Sequence, residues 1–267
     1  MRYVERLPAA DLASCIQCLW ELEGHGSALA EPIFPDGRIE VVVHLADRPR
    51  QRGAADPQPQ AMVVGQMLAA TRLYPDPHVH AFGVRFTPGG ARAWLGLPLN
   101  ELTGRIEDAG GVCGAAARLC CAIEQATNSR ERFTAAESAV RAMLRRPPAP
   151  ADAIGRAVAV IERSAGMLAV DMVALAAGLG VRQMERRFLE HVGITPKALA
   201  RIVRFQRALR GLRAGAPAAA VAAACGFADQ PHLAREFRRF AGLAARDVDL
   251  EHVAFLQDAP GGPATHS

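Results

Sequence analysis

Residues 222–237 read AAACGFADQPHLAREF, and residues 174–188 read ALAAGLGVRQMERRF. The two strings are copies of one unit, because Gly178 corresponds to Gly226 at an offset of 48 and Phe188 to Phe237 at an offset of 49. Each copy predicts a short helix, a glycine turn and a second helix, since glycine readily adopts the left-handed conformation that ends a helix. The repeat therefore predicts two helix-turn-helix units in one chain.

The second helix of each copy has an apolar stripe and a polar face. Met184 and Phe188 in the first copy, and Leu233 and Phe237 in the second, are spaced i and i+4 and are expected to point inward. Arginine pairs bidentately with guanine and glutamine with adenine in the DNA major groove. The predicted base-contacting residues are Arg182, Glu185 and Arg186 in the first copy and Gln230, His232 and Arg235 in the second. Glu185 either accepts from a cytosine amine or orients the neighbouring arginines, while Asp229 is expected to cap its helix.

A basic helix is predicted between the copies. Thr195 and Pro196 form a hydroxyl cap followed by proline at the first helical position, and the helix runs to about Arg213. Eighteen residues span roughly 27 Å, of the order of the ~34 Å pitch of B-DNA, so one helix can hold two recognition helices in successive grooves. The expected phosphate contacts are Arg187, Lys197, Arg201, Arg238 and Arg239.

Charge is concentrated in the same part of the chain. The 267 residues carry a net charge of +4, and residues 151–250 hold 15 arginines and lysines against 9 acids. An arginine-rich excess of this kind suits phosphate and guanine recognition, but charge alone favours the plainer interpretation of a solvated helical surface and does not decide between them.

The front of the chain predicts short antiparallel strands followed by helices. Runs rich in Val, Ile, Phe and Trp are separated by turn residues and occur at 15–23, 38–46, 61–67 and 79–87. Residues 48–60 are expected to be a mobile loop, and helical stripes follow at 112–123 and 133–144. The fold class is α+β with two domains: an antiparallel β-barrel or jelly-roll-like domain with trailing helices, then an all-α tandem helix-turn-helix domain joined by a long linker helix.

The predicted boundaries follow the prolines. Residues 1–146 form the N-terminal sensing or dimerising domain, 147–151 a proline-rich linker, 152–250 the DNA-binding domain and 251–267 an acidic-to-disordered tail. The early acid and the lack of a long apolar run predict a cytoplasmic protein that does not enter a membrane.

The front domain offers a pocket rather than catalytic chemistry. Cys15 and Cys18 form a lone CxxC and are expected to be core thiols. His44, His78 and His80 lack the carboxylate or fourth ligand that a metal site needs. No catalytic residue, metal or cofactor is predicted, and the candidate pocket-lining residues are Trp20, Phe34, Phe82 and Phe86.

Residues 152–250 resemble the DNA-binding domain of the AraC/XylS family, which carries two helix-turn-helix units joined by a long helix. The resemblance rests on residues 226–239, GFADQPHLAREFRR, on Gly193-Ile-Thr-Pro196, and on the stretch that opens at Arg201. Gly180 stands where the first unit usually has a serine cap, and Ala244-Ala245 replaces the usual Ser/Thr-Pro. Residues 1–146 resemble an N-terminal module of some members, for which the family implies a cupin-like sensor of unidentified ligand.

The sequence therefore predicts a transcription regulator that is not an enzyme. The resemblance implies double-stranded DNA as a partner and a small-molecule effector, with RNA polymerase and a second copy of the chain as further candidates. The alternative is a cupin-like metal- or ligand-binding enzyme whose helical half binds another protein.

Overall fold

A computed structural model describes residues 1–26, 31–51, 53–74, 77–144 and 152–243. We call residues 1–144 the front half and residues 152–243 the helical half. The strands are β1 (Arg2–Arg6), β2 (Ile16–His25), β3 (Glu31–Ile33), β4 (Glu40–His44), β5 (Arg50–Gln51), β6 (Ala61–Val64), β7 (Thr71–Tyr74), β8 (His78–Phe86) and β9 (Ile106–Asp108). The helices of the front half are α1 (Gly90–Leu95), a 3-10 turn at Leu99–Glu101, α2 (Ala109–Val112), α3 (Gly114–Gln125) and α4 (Ser129–Met143).

Antiparallel pairing arranges the strands in two sheets. The larger sheet has the order β1-β2-β8-β4-β6-β9, and the smaller has the order β3-β7-β5. Among the described strands β1 pairs with β2 alone and β9 with β6 alone, so the larger sheet keeps two edges. The antiparallel β-rich fold is confirmed, but the barrel does not close, because the three short strands pair with one another instead of joining those edges.

The two faces of the larger sheet have different neighbours. Along β8 the side chains alternate, so that Phe82, Val84 and Phe86 face the front-half helices while Ala81 and Arg85 face the smaller sheet. Phe82 meets Phe133 of α4 at a ring distance of 5.0 Å. The face of the larger sheet that packs against α3 and α4 therefore forms the front-half core. The opposite face lines a cavity, which is described below.

Several local predictions are confirmed. The strands β2, β4, β6 and β8 overlap the four predicted runs, and α3 and α4 overlap the two predicted stripes, with ends that differ by up to four residues. The expected loop at 48–60 is more ordered than predicted, since it contains β5, a bridge between Arg50 and Pro57, and a Gln58 that is only 6% exposed. The predicted linker at 147–151 and the tail at 251–267 lie outside the described residues.

The helical half contains the predicted repeat. Its helices are α5 (Ala153–Arg163), α6 (Val170–Ala177), α7 (Val181–Val192), α8 (Pro196–Arg213), α9 (Ala218–Ala224) and α10 (Gln230–Ala241). Gly178 and Gly226 both have positive φ, 72° and 68°, as expected at the two turns. Thr195 caps α8 by accepting from the Ala198 amide at 3.1 Å, and Asp229 caps α10 by accepting from His232 at 2.6 Å. The tandem helix-turn-helix architecture with an 18-residue linker helix is thus the observed one.

Candidate DNA interface and effector cavity

The first recognition helix, α7, presents polar side chains at its N-terminal end. Arg182, Glu185 and Arg186 are exposed, while Met184 and Phe188 are fully buried in the helical core. This is the division between inner and outer faces expected from the i, i+4 spacing. The three outer side chains lie on the first two turns, where a helix that enters a major groove carries its base contacts.

The second recognition helix, α10, has the same division with one difference. Gln230 and Arg235 are exposed, but His232 is half-buried and its ring meets Phe227 edge-on at 5.4 Å. The backbone amide of His232 also donates to the Asp229 cap. His232 therefore contributes to the turn as well as to the outer face.

The residues expected to contact phosphates are not equivalent. Lys197, Arg238 and Arg239 are exposed and Arg187 is half-buried. Arg201 of α8 instead donates from Nε to Oε2 of Glu236 on α10 at 2.8 Å, with a second hydrogen bond from Nη2. Although burial raises the pKa of Glu236, these hydrogen bonds and the positive charge of Arg201 outweigh it and lower the pKa. This ion pair ties the linker helix to the second recognition helix.

The front half touches the two recognition helices at their other ends. Gln66 donates to the carbonyl of Val192, and the Thr103 hydroxyl donates to the carbonyl of Gly193 at 2.6 Å. The amide of Ala70 donates to the carbonyl of Phe240 near the end of α10 at 2.7 Å. The last carbonyls of a helix lack partners within it, so these donors satisfy groups that would otherwise be unpaired.

One segment of the front half enters the helical core. Phe34 is fully buried in the helical-half cluster and meets Phe205 of α8 at a ring distance of 5.8 Å. The side-chain amide of Gln206 donates to the carbonyl of Pro35 at 2.6 Å, and Arg38 pairs with Glu162 of α5 at 3.4 Å. The two halves consequently share apolar core as well as polar contacts.

A cavity of about 110 Å³ lies between the two sheets. The larger sheet contributes Trp20, Leu22, Val42, Met62, Val64 and Ile106, and the smaller contributes Ile33, Thr71 and Leu73. Of the four aromatic residues expected to line a pocket, the structure places Trp20 there. Phe82 and Phe86 lie on the opposite face of β8, and Phe34 lies in the helical core, so none of these three lines the cavity.

Four charged residues stand at the cavity wall: Asp36, Arg38, Glu40 and Arg85. Arg85 is hydrogen-bonded through Nε to Glu40, and the same nitrogen lies 3.6 Å from Asp36. Burial raises the pKa of the Glu40 carboxyl, and the neighbouring Arg85 opposes that rise. The sequence signal for this cluster is a charged residue on an otherwise apolar strand, Glu40 on β4 and Arg85 on β8, while Asp36 and Arg38 lie in the turn before β4.

The histidines of the front half contact other side chains. His44 contacts Gln58 at 3.2 Å, His80 pairs with Glu21 at 2.9 Å, and the ring of His78 meets that of His25 edge-on at 5.3 Å. Cys15 and Cys18 are buried free thiols, and burial raises the pKa of each to about 12. No group of three or more metal-ligating side chains occurs within the described ranges.

Two domain families match separate parts of the chain. A domain family described as a domain of unknown function (DUF6597) matches residues 4–108, and a helix-turn-helix domain family matches residues 173–249. The chain carries an AraC-type DNA-binding domain. It is a DNA-binding regulator, and the AraC-type domain comprises both copies of the repeat.

Curated proteins give no match to this chain. Solved structures that resemble it include ToxT from Vibrio cholerae O395, at 9% identity and a TM-score of 0.47, covering 88% of this chain and 98% of that chain. Unsaturated fatty acid-bound ToxT from V. cholerae strain SCE256 also has 9% identity and a TM-score of 0.47, with 95% and 98% covered. In the part of the regulator that the structure describes, no helix has the length and apolar character needed to cross a membrane.

Proposed function

We propose that this regulator reads duplex DNA with the N-terminal halves of α7 and α10, one in each of two successive major grooves. Arg182, Glu185 and Arg186 form the first reading face, and Gln230, His232 and Arg235 form the second. The observation that carries this proposal is the polarity of each helix: its N-terminal side chains reach solvent, while the hydrogen bonds from Gln66, Thr103 and Ala70 hold the C-terminal end.

The remaining cations position the domain on the phosphate backbone. Arg187, Lys197, Arg238 and Arg239 flank the reading faces and carry the sequence-independent part of the affinity. Arg201 has a different role, because its guanidinium is engaged by Glu236. We assign Arg201 to fixing the angle of α10 on α8, with any phosphate contact secondary.

The front half is proposed to sense a small molecule in the cavity between the sheets. Residues 65–71 run from the end of β6 to the first residue of β7 and contact both the cavity and the recognition helices. Gly65, Met67 and Thr71 line the cavity, whereas Gln66 and Ala70 hold the ends of α7 and α10. A ligand that shifts this segment moves its contacts with both recognition helices, and its differential affinity for the two arrangements sets the size of the response.

We propose that the protein acts as a regulator and not as an enzyme. We propose residues 1–146 as the sensing domain and 152–250 as the DNA reader, acting in the cytoplasm, with RNA polymerase and a second copy as further partners. The alternative of a cupin-like enzyme requires a metal or nucleophilic centre, and no observation on the described residues favours one.

The reading faces are tested by removing one arginine from each. The duplex is selected from a random pool or taken from the DNA upstream of the gene, and affinity is measured by fluorescence anisotropy against a scrambled duplex. Arg186→Ala with Arg235→Ala should lower specific affinity by about a hundredfold or more, because each bidentate contact to a base contributes about 1–3 kcal/mol.

The matched control is Arg105→Ala with Arg118→Ala, which removes the same charge from exposed positions of the front half. This control should keep its preference for the selected duplex. If the Arg186/Arg235 variant retains the preference of the unmodified chain, the assigned reading faces are wrong.

A further inference from the structure

We infer that the cavity between the two sheets binds a small, mainly apolar, uncharged molecule that carries one hydrogen-bond-accepting group, and that this group accepts from the indole Nε1 of Trp20. This inference rests on the proposed sensing function, since it assigns the chemical class of the effector. It is carried by the size of the cavity, the pairing of its charges and the unsatisfied donors at its wall.

Size limits the ligand first. The cavity measures about 110 Å³, somewhat below the roughly 150 Å³ of an engineered cavity that takes benzene. Leu22, Val42 and Met62 form an apolar floor on the larger sheet, and Leu73 faces them from the smaller one. A single-ring molecule matches this space, and a long acyl chain exceeds it.

The charged side chains of the wall are already paired. Asp36 and Glu40 carry two negative charges against the two positive charges of Arg38 and Arg85, so these four side chains balance. Arg85 is occupied by Glu40 and Asp36, while the Nη atoms of Arg38 contact the carbonyl of Asp36 and the carboxylate of Glu162. His44 adds no charge at neutral pH, because burial lowers its pKa to about 4 despite the contact with Gln58. A carboxylate or an ammonium group entering this cavity would lose its hydration and would have to compete with ion pairs that the charged side chains of the wall already make.

Two buried donors among the lining residues are not satisfied. Trp20 is only 1% exposed, and its Nε1 has no hydrogen-bond partner within the described residues; the same holds for Nε of Arg38. Buried donors are almost always paired in folded proteins, so an unpaired one at a cavity indicates a missing acceptor. A ligand carbonyl or ether oxygen supplies that acceptor without bringing a charge.

The indole is held firmly enough to select for this group. Its ring lies over Gly83 of β8, where an added Cβ would come within 2.1–2.4 Å of three indole atoms. Trp20 and Val42 are both register partners of Gly83 on the adjacent strands, so the indole and the apolar floor are fixed by the same sheet. The donor is therefore preorganised, which lowers the entropic cost of binding.

Four probes of nearly equal size test the ligand class on the full chain. Isothermal titration calorimetry is carried out with acetophenone, ethylbenzene, benzoate and benzylamine. Acetophenone should bind about fivefold more tightly than ethylbenzene, the gain expected for one net hydrogen bond. Benzoate and benzylamine should bind at least roughly tenfold more weakly than acetophenone.

Two variants assign the binding to this cavity and to the indole. Trp20→Phe should bring the acetophenone-to-ethylbenzene affinity ratio close to one, and because a ratio is compared, any general loss of packing cancels. Val42→Phe fills the cavity floor and should abolish binding of all four probes, with a cooperative urea-unfolding transition showing that this variant is folded.

The outcomes separate the ligand class from the sensing function. Tightest binding by benzoate or benzylamine, or an unchanged ratio in Trp20→Phe, would overturn the uncharged-acceptor assignment while leaving the cavity as a ligand site. Binding of none of the probes, or binding that survives Val42→Phe, would refute the cavity as the site and with it the sensing part of the proposed function. The DNA-reading part is decided separately by the Arg186/Arg235 variant.

Discussion

The two helix-turn-helix units differ less in their own fold than in how they are held. In both units a buried alanine, Ala174 or Ala222, precedes a left-handed glycine, and an apolar stripe faces inward. The first recognition helix, α7, ends on contacts with the front half through Val192 and Gly193, with a further ion pair from Glu190 to Arg92 at 3.3 Å. The repeat gives two similar units, and tertiary packing makes the first one the main contact of the front half.

The second unit is held mainly from within the helical half. α10 begins on a side-chain cap, Asp229, whereas α7 begins at Gly180 with no side-chain cap. The Arg201–Glu236 ion pair fixes α10 on α8, and the contact with the front half described above is one backbone hydrogen bond from Ala70. We therefore expect the position of α10 on α8 to stay fixed. We expect the position of α7 to change more when the conformation of the front half changes.

The largest difference in stability between equivalent substitutions in the two units is expected at the glycines that end the two recognition helices. Gly193 and Gly242 are equivalent in the repeat and both have positive φ, 91° and 70°. A Cβ on Gly193 would lie 2.5 Å from the Gln66 amide, which is buried and hydrogen-bonded, while a Cβ on Gly242 meets nothing within 4 Å. Gly193→Ala should cost about 2–3 kcal/mol, and Gly242→Ala about 1 kcal/mol.

Urea unfolding of the full chain measures this difference. Gly242→Ala is the matched control, because it carries the same backbone strain without the contact to the front half. Equal losses in the two variants would mean that the front half does not press on α7 in solution.

The ion pairs predict a smaller difference that depends on pH. Since the pKa of Glu236 is lowered in the folded chain, its pair with Arg201 stabilises fully above the unfolded-state pKa of the carboxyl, and this stabilisation is lost as pH falls through the folded-state value. Glu236→Gln should therefore cost about 1 kcal/mol at pH 7 and progressively less in acid.

Glu190→Gln is the corresponding change in the first unit. The Glu190–Arg92 pair has side chains 43% and 27% exposed, so its loss should cost no more than about 0.5 kcal/mol. Guanidinium unfolding midpoints across pH 3–8 compare the variants. A Glu236→Gln deficit that stays constant down to the lowest pH would contradict the assigned role of the carboxylate.

The smallest contrast concerns the helix caps. Asp229→Ala removes the acceptor of the His232 amide and should cost about 1 kcal/mol, while Gly180→Ser adds a cap to α7 and should stabilise by a few tenths of a kcal/mol. Thermal unfolding should show a lower midpoint for Asp229→Ala and a higher midpoint for Gly180→Ser than for the unmodified chain. Destabilisation by Gly180→Ser would show that the start of α7 has no room for a capping side chain.

Local patterns predicted most of the helical half and the strands at the centre of the larger sheet. The caps Thr195 and Asp229, the length of α8 and the strands β2, β4, β6 and β8 all follow from residues close together in sequence. The short strands β3, β5 and β7 were not predicted, because two to four residues carry too little alternation to be recognised.

The lining of the cavity does not follow from local sequence patterns. A period of two places Phe82 and Arg85 on opposite faces of β8, but it does not say which face meets helices and which meets the second sheet. The interpretation of Phe82 and Phe86 as lining residues therefore depended on a choice that the sequence leaves open. The pairing of Arg85 with Glu40 and Asp36 also joins residues distant along the chain, and no spacing rule connects them.

By itself the sequence determined the tandem reading unit, since helix caps, turn glycines and apolar stripes act over a few residues and their signals are local. Only the tertiary structure decided that Phe34 belongs to the helical core and that Arg38 and Arg85 at the cavity wall are paired with carboxylates. It also decided that residues 65–71 contact both recognition helices. Those features depend on which surfaces pack against each other in the folded chain. That packing is stabilised by the burial of apolar surface between segments that are distant in sequence.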